Sequence, residues 1–268
     1  MDTASSPYAA PPLAVEEVWA GYGEMDAVRG ITLHARPGAV TAIIGANGAG
    51  KTTLLRVMLG AIKPRRGRAL LDGKDVAGLR PAVRAARMAY IAQRPGVAFA
   101  FSAREVVQLG CPWLGEARSR SAAREALAKV GLLDRAEEPL GALSVGQQQR
   151  VSVARAIAQV ATRPSGSASA VVLADEPVAS MDPAHAIETL DLLRGMATDG
   201  ASVVIVLHDL VLASRFADEV LMMNAEGTAA AVGPTRDVLT PALLERVYHT
   251  AFRGVGAGVL LPARLVAE

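Results

Sequence analysis

The sequence predicts an α/β domain built around a parallel β-sheet. Apolar runs at 39–45 ("AVTAIIG"), 170–174 ("AVVLA") and 202–207 ("SVVIVL") lack the alternation of a half-buried strand, and they predict strands buried on both faces. Helical patterns at 146–161 and 183–197 alternate with them, as in a parallel sheet that is covered by helices on both sides. A Gly-rich loop leads from the first run into a helix, which gives the order strand, loop, helix.

The remaining elements follow in chain order. Residues 1–12 are rich in Pro, Ala and Ser and are predicted to be disordered. Short β-type segments are predicted at 13–19 and 31–35, and the helix after the Gly-rich loop is predicted at about 50–60. From about 95 to 150 the helical patterns occur without strands, and "SAREVVQLG" opens with a Ser-x-x-Glu capping box. We interpret this region as a helical insertion lobe.

Composition limits the classes of function. The length of 268 residues allows one large α/β domain or two small ones, and 51% hydrophobic residues can fill a core. The 28 basic and 26 acidic residues give a net charge of +2 without a basic stripe, so nucleic acid is not the expected partner. The single cysteine, Cys111, excludes an internal disulfide. No secretory signal or membrane-spanning run is recognised, so we expect a cytoplasmic protein that reaches a membrane by docking.

The Gly-rich stretch "IIGANGAGKTTLL", at 43–55, predicts a triphosphate-binding loop. It fits G-x-x-x-x-G-K-[ST] at Gly45, Gly50, Lys51 and Thr52, in the strand-to-helix context that this pattern requires. Backbone N–H groups and the helix N-terminus would face the phosphates, Lys51 would neutralise them, and Thr52 would hold Mg²⁺. The alternative is a plain Gly-rich turn. The predicted ATP-binding residues of this loop are Gly45, Asn47, Gly48, Gly50, Lys51, Thr52 and Thr53.

Two carboxylates follow the apolar run in "VVLADEP". Asp175 and Glu176 lie at the carboxyl end of a predicted strand, where ligands gather in open parallel sheets. Asp175 is predicted to bind Mg²⁺ through water and to contact ATP, and Glu176 to activate the attacking water as general base. Such a pair alone could merely cap a strand, but together with the phosphate loop it indicates a nucleotide hydrolase.

The stretch "LSVGQQQRVSVARAIA", from Leu143, separates this sequence from other nucleotide hydrolases. Read from its residues, it is a Ser-x-x-Gln capping box at a helix start, which can offer a hydroxyl and N–H groups to an anion. With the two motifs above, it makes the chain similar to the ATPase subunits of ABC transporters over nearly its whole length. The resemblance implies that Ser144, Gly146 and Gln147 contact the γ-phosphate of ATP on the other subunit of a head-to-tail dimer.

Four further residues match this family's pattern. The resemblance implies that Tyr22 in "AGYGEMDAV" stacks on adenine, and that Gln93 in "YIAQRPG" senses Mg²⁺ and the attacking water. It also implies that Asp182 in "SMDP" lies in a loop at the dimer interface, and that His208 in "IVLHDL" contacts the γ-phosphate. The alternatives are a packing tyrosine, an Asp N-cap followed by Pro183, and a structural histidine.

The same resemblance implies the organisation of the whole protein. It implies a single ABC ATPase domain at 13–268, with a P-loop NTPase core, an N-terminal antiparallel β subdomain and a helical subdomain at approximately 95–150. ATP and Mg²⁺ are the implied substrate and cofactor. The implied partners are a second copy of the chain, integral membrane permease subunits, and a substrate-binding protein that acts through the permease, so that the chain lies peripherally at the cytoplasmic face of the cell membrane.

One position departs from the family pattern. Val145 stands where the signature usually has glycine, and a β-branched residue disfavours positive φ and blocks close backbone approach. We expect a weakened or unchanged site, because Ser144, Gly146 and the catalytic residues remain.

The absence of a fused membrane region favours an importer. The segments 98–110, 159–170 and 238–248, together with "SMDPAH", are similar to ATPases that import haem, ferric siderophores or cobalamin. Haem or another iron chelate is placed ahead of cobalamin. The rival classes are small-molecule kinases, which lack the signature, soluble ABC ATPases that act on nucleic acid, and regulatory modules that bind ATP without hydrolysis.

Overall fold

The computed structural model describes residues 11–93, 101–164, 169–255 and 259–262, and the counts below refer to these residues. The strands are β1 Leu13–Tyr22, β2 Met25–Ala35, β3 Val40–Gly45, β4 Arg66–Leu71, β5 Lys74–Asp75, β6 Met88–Ile91, β7 Val171–Asp175, β8 Ser202–Val206, β9 Glu219–Met223, β10 Ala229–Pro234, β11 Phe252–Val255 and β12 Val259–Pro262. The helices are α1 Lys51–Met58, α2 Pro81–Ala85, α3 Ala103–Gln108, α4 Glu116–Lys129, α5 Val145–Ala161, α6 Pro183–Thr198, α7 Leu210–Phe216, α8 Thr235–Val238 and α9 Pro241–Tyr248.

The larger sheet has the strand order β10-β9-β3-β8-β7-β6. The five strands from β9 to β6 are parallel, and β10 is antiparallel to β9. The strands predicted at 39–45, 170–174 and 202–207 are β3, β7 and β8, and all their residues are buried. Neighbouring residues of β3 enter different cores, since Ile43 packs on the side of α1 and Ile44 packs on the opposite side. The prediction of strands covered on both faces is confirmed.

The smaller sheet is antiparallel, with the order β2-β1-β4-β5, and it forms the expected N-terminal subdomain. Helix α1 packs between the two sheets. Its residues Leu54 and Leu55 are fully buried in a core shared with Val15 of β1 and with Leu173 of β7. A helix enclosed in this way fixes the position of the loop that precedes it.

The helical lobe contains α3, α4 and the beginning of α5, which pack against one another. The predicted capping box is present, because the Ser102 hydroxyl accepts from the Glu105 N–H at 3.2 Å while Glu105 Oε2 accepts from the Ser102 N–H at 2.8 Å. Helix α5 continues past residue 150 to Ala161, so the predicted end of the lobe falls inside a helix. Residues 95–100 of the predicted lobe lie outside the described residues.

The hairpin of β1 and β2 is longer than the sequence predicts. β1 extends to Tyr22 and β2 begins at Met25, because bulges shift the β1 register and interrupt the alternation on which the prediction relied. Pro12, the last residue of the segment predicted to be disordered, is buried, and its carbonyl accepts from the Asp72 N–H at 3.0 Å. Residues 1–10 of that segment lie outside the described residues.

Two glycines of the smaller sheet form a matched pair for a stability test. Both have positive φ, but a Cβ on Gly67 would lie 2.2 Å from the Glu16 carbonyl oxygen, whereas a Cβ on Gly73 would meet nothing within 4 Å. We expect Gly73→Ala to lower the free energy of unfolding by about 1 kcal/mol, the cost of a left-handed alanine. We expect Gly67→Ala to lower it by about 2–4 kcal/mol, because the backbone clash adds to that cost.

Urea unfolding of both variants measures this difference as a shift of the midpoint at constant slope. Equal losses at Gly67 and Gly73 would contradict the close approach of β4 to the bulge in β1.

Candidate active site

The predicted site residues meet at one edge of the larger sheet. Because β3, β8, β7 and β6 are parallel neighbours, their carboxyl ends lie side by side, and each end is followed by part of the site. A cavity of about 850 Å³ opens there. It is lined by Tyr22, Ala27, Asn47, Gly48, Ala49, Gly50, Lys51, Thr52, Thr53, Gln93, Glu176 and His208.

The loop between β3 and α1 has the backbone that its glycines permit. Gly45, Gly48 and Gly50 have φ of 147°, 83° and 90°. A Cβ on Gly50 would lie 2.2 Å from the Ala27 carbonyl oxygen, so β2 and the loop can approach only because Gly50 has no side chain. Gly50 is also the N-cap of α1, and it has no side chain to accept from the first N–H groups of the helix. These N–H groups can therefore bind an anion at the start of α1.

Lys51 is folded back onto this loop. Its side chain is buried, and Nζ donates to the carbonyl oxygens of Gly45 at 2.8 Å and Ala46 at 2.9 Å. Burial lowers the pKa of the Lys51 ammonium, and the carboxylates of Glu176 and Asp175 oppose this shift. An arriving phosphate would bring further negative charge to this buried ammonium.

Thr52 and Asp175 join α1 to the end of β7. The Thr52 hydroxyl donates to Asp175 Oδ1 at 3.1 Å, and Asp175 is only 1% exposed. Burial raises the pKa of the Asp175 carboxyl, and the hydrogen bond from Thr52 opposes the rise. A hydroxyl and a carboxylate are the hard oxygen donors that suit Mg²⁺, which takes its other ligands from water and phosphate. In keeping with such a sparse protein ligand set, no group of three or more His, Cys, Asp and Glu that could hold a metal occurs in the described residues.

Glu176 is the centre of the predicted catalytic residues. Its Oε2 accepts from Gln93 Nε2 at 2.8 Å, and its Oε1 lies 2.5 Å from His208 Nε2. Glu176 has φ of 48°, which is rare for a residue other than glycine and sends its side chain away from that of Asp175. The structure thus brings together three residues that come from the ends of three adjacent strands.

Tyr22 lies at the rim of the cavity, and its side chain is 54% exposed. Its hydroxyl accepts from Arg56 Nη1 at 2.6 Å. No motif in the sequence indicates Arg56, although Arg56 follows Thr52 by four residues and therefore shares its face of α1.

The signature residues do not line this cavity. Ser144 caps α5, since its hydroxyl accepts from the Gln147 N–H at 3.3 Å and Gln147 Oε1 accepts from the Ser144 N–H at 2.9 Å. Gly146 lies close to the loop before α6, where an added Cβ would be 2.9 Å from the Ser180 carbonyl oxygen. Within one chain, these residues therefore do not line the cavity of their own phosphate loop.

Val145 does not adopt the positive φ that a β-branched residue disfavours, and a weakened or unchanged signature site stays a prediction. Val145 is the first residue of α5, where φ is helical, and it is absent from the residues with positive φ in the described part of the chain. Its side chain is 59% exposed. A valine therefore fits the helix backbone here. Its exposed side chain can still affect how closely a ligand approaches the N-terminus of α5.

Asp182 is the N-cap of α6, as the alternative interpretation predicted. Its Oδ1 accepts from the N–H groups of Ala184 and His185, both at 3.1 Å, and its Oδ2 lies 2.5 Å from His185 Nδ1. The hydrogen bonds from His185 lower the pKa of the Asp182 carboxyl. Asp182 is not among the residues that line the cavity.

The fold and the site define a P-loop nucleotide hydrolase. The sequence model of the ABC transporter family matches residues 28–179, more than half of the chain. The chain therefore belongs to the ABC transporter family, as an ATP-binding subunit that hydrolyses ATP.

Several similar proteins share the name hemin import ATP-binding protein HmuV. That of Roseobacter denitrificans is 41% identical over 231 residues, which cover 86% of this chain and 88% of the relative. That of Rhizobium meliloti is 39% identical and covers 84% of this chain and 87% of the relative. That of Bordetella pertussis is 37% identical, with coverages of 88% and 91%.

Solved structures confirm the fold. A Clostridium perfringens component of an ABC transporter complex has a TM-score of 0.72 at 30% identity, covering 88% of this chain and 94% of that chain. The dimeric structure of a bacterial ABC transporter cassette has a TM-score of 0.74 at 26% identity, with coverages of 83% and 98%. Among the residues described for this chain, no helix combines the length and the apolar character needed to cross a bilayer.

The buried carboxyl of Asp175 gives a prediction about stability. A folded-state pKa above the unfolded value means that the ionised carboxylate lowers the free energy of unfolding at neutral pH. We expect Asp175→Asn to raise that free energy by about 0.5–2 kcal/mol at pH 7 in the absence of nucleotide. The gain should shrink as the pH falls through the folded pKa, because the wild-type carboxyl then becomes neutral as well.

Thermal unfolding of both proteins between pH 7 and pH 5 measures this gain. A variant that is less stable than the wild type at pH 7 would show that the Thr52 hydrogen bond outweighs the burial of the charge.

Proposed function

We propose that this chain is the ATPase subunit of a haem importer and that it works as a homodimer with a separate membrane permease. The observation that carries the ATPase mechanism is the contact of Glu176 with both Gln93 and His208 beside the phosphate loop. The choice of haem is supported by the relatives, which are named hemin import ATP-binding proteins at 36–41% identity. Cobalamin or another iron chelate is the alternative cargo.

Nucleotide binding begins with the loop 45–53. The backbone N–H groups of this loop, including those of Asn47 and Gly48, surround the β- and γ-phosphates. The open space beside Gly48 admits a phosphate oxygen. Lys51 exchanges the carbonyl oxygens of Gly45 and Ala46 for phosphate oxygens. Tyr22 stacks on the adenine at the rim of the same cavity.

Thr52, Asp175 and Gln93 would hold Mg²⁺, in part through water. When bound, Mg²⁺ neutralises charge on the β- and γ-phosphate oxygens. Thr52 and Asp175 are already within 3.1 Å of each other, so little rearrangement of α1 and β7 is needed.

Hydrolysis uses Glu176 as the general base for the attacking water. Both oxygens of Glu176 are engaged, one by Gln93 and one by His208. If Gln93 turned away from Glu176, Oε2 would be free to accept the proton of the water, while His208 would hold Oε1 in place and could contact the γ-phosphate.

A second copy supplies the signature residues. Ser144, Gly146 and Gln147 lie away from their own chain's cavity, as expected of groups that serve the partner's ATP. Asp182, the N-cap of α6, lies near these signature residues, because Gly146 lies close to Ser180, two residues before it. The dimeric structure of a similar cassette supports this arrangement.

The chain acts at the cytoplasmic face of the cell membrane, as a peripheral subunit that docks on the permease. A substrate-binding protein delivers the cargo to the permease from the other side. Two of the four segments that suggested the haem group, 98–110 and 159–170, include residues outside the described ones, at 98–100 and 165–168. The segment 238–248 is described and includes α9.

Glu176→Gln tests the catalytic assignment. We expect ATP binding to persist and hydrolysis to slow by about a hundredfold or more, the scale of a lost general base. With Mg²⁺ and ATP, light scattering should then show a stable dimer, whereas the nucleotide-free variant should be monomeric. Lys51→Ala is the contrasting variant, because it removes a phosphate-facing charge and should weaken ATP binding itself. Wild-type turnover by Glu176→Gln would remove Glu176 from the mechanism.

Reconstitution with the permease tests the cargo. We expect haem, presented on its binding protein, to stimulate ATP hydrolysis in proteoliposomes and to accumulate with ATP, and we expect no uptake with Glu176→Gln. Cobalamin and a ferric siderophore are the matched competitors, each with its own binding protein. Uptake of cobalamin without uptake of haem would refute the proposed cargo and leave the ATPase assignment intact.

A further inference from the structure

The turn that carries Tyr22 is held by two arginines from outside it. Arg65 reaches across β1 and β2 with both terminal nitrogens: Nη1 donates to the Glu24 carbonyl oxygen at 3.2 Å and contacts the Asp26 carboxylate, and Nη2 donates to the Gly23 carbonyl oxygen. These contacts fix the backbone between Tyr22 and Asp26. The ring of Tyr22 is still 54% exposed, so backbone order alone leaves its side-chain torsions free.

Arg56, which is itself exposed, restricts this remaining freedom through one hydrogen bond. Its Nη1 lies 2.6 Å from the Tyr22 hydroxyl oxygen, a short hydrogen bond from a charged donor. Arg56 lies on α1 four residues after Thr52, and α1 is enclosed between the two sheets. The tyrosine ring on one sheet is thereby tied to the helix that begins at the phosphate loop.

We propose that Arg56 is a positioning residue for recognition of the nucleotide base: through the Tyr22 hydroxyl it holds the ring in the orientation on which a purine stacks. The inference rests on the proposed function, since it takes Tyr22 as the base-stacking residue. In this proposal, Arg56 acts through Tyr22 and makes no contact with ATP itself. A ring that is already ordered loses less conformational entropy when the base binds, so the contact strengthens base binding without touching the phosphates.

The proposed role of Arg56 affects recognition of the base of ATP but not of its triphosphate. ATP carries both a base and a triphosphate, whereas inorganic tripolyphosphate carries only the phosphates. A purely structural role of Arg56 in α1 would disturb the phosphate loop and weaken both ligands. The proposed role weakens ATP alone.

The test uses isothermal titration calorimetry on the full-length chain with Mg²⁺, with ATP and tripolyphosphate as separate ligands. The variants are Arg56→Met, Tyr22→Phe and the double variant, with Arg56→Lys as the conservative replacement. Arg36→Met is the matched control for the lost charge, because Arg36 pairs with Glu219 elsewhere on the surface. Tyr22→Phe removes a single oxygen and keeps the ring, so it carries the test even where Arg56→Met is poorly folded.

We expect Arg56→Met and Tyr22→Phe each to weaken ATP binding by about fivefold, the scale of ordering one side chain, and to leave tripolyphosphate binding unchanged. The double variant should be no weaker than either single variant, Arg56→Lys should recover part of the loss, and Arg36→Met should match the wild type. Equal losses for both ligands, additive losses in the double variant, or unchanged ATP binding would overturn the proposal. A wild-type chain that binds neither ligand would instead refute the proposed function, so the two failures are distinguishable.

Discussion

Parallel pairing of β3, β8, β7 and β6 is the constraint on which the site depends. Parallel strands place their carboxyl ends at one edge, and here each of the four ends contributes a different chemical group. Glu176 can accept a hydrogen bond from Gln93 and lie against His208 only because its strand lies between theirs. Successive side chains at a strand end point to opposite sides, so Asp175 meets Thr52 while Glu176 meets Gln93 and His208.

The sequence was most informative where one residue type has one physical use. The buried runs that became β3, β7 and β8 required no tertiary information, because their composition excludes a half-exposed strand. Glycines with positive φ, the lysine and the capping serines could likewise be predicted from local chemistry. The bounds of β1 and β2 could not, because bulges interrupt the alternation of their side chains. The helical φ of Val145 could not be predicted either, because it depends on where α5 begins.

Contacts between residues that are distant in the chain could not be predicted from the sequence. Arg56 and Tyr22 are 34 residues apart, and nothing in either segment indicates that a surface arginine will meet that hydroxyl. The same holds for Gln149, which is 2% exposed and donates from Nε2 to the Ala92 carbonyl oxygen at 2.9 Å. Polar residues on a helix are usually solvated, so a polar side chain that is buried to hold a loop can be recognised only once the fold is known.

Gln149 and Gly146 lie in the first two turns of α5 and touch two different loops, the first beside Gln93 and the second at Ser180. A helix of 17 residues moves as a stiff body, so the two contacts cannot shift independently. In a two-fold dimer of the proposed kind, α5 would therefore link the signature residues, which face the neighbour's nucleotide, to the loop of Gln93, which faces the chain's own nucleotide. The proposed dimer would therefore couple its two nucleotide sites through the interior of each subunit.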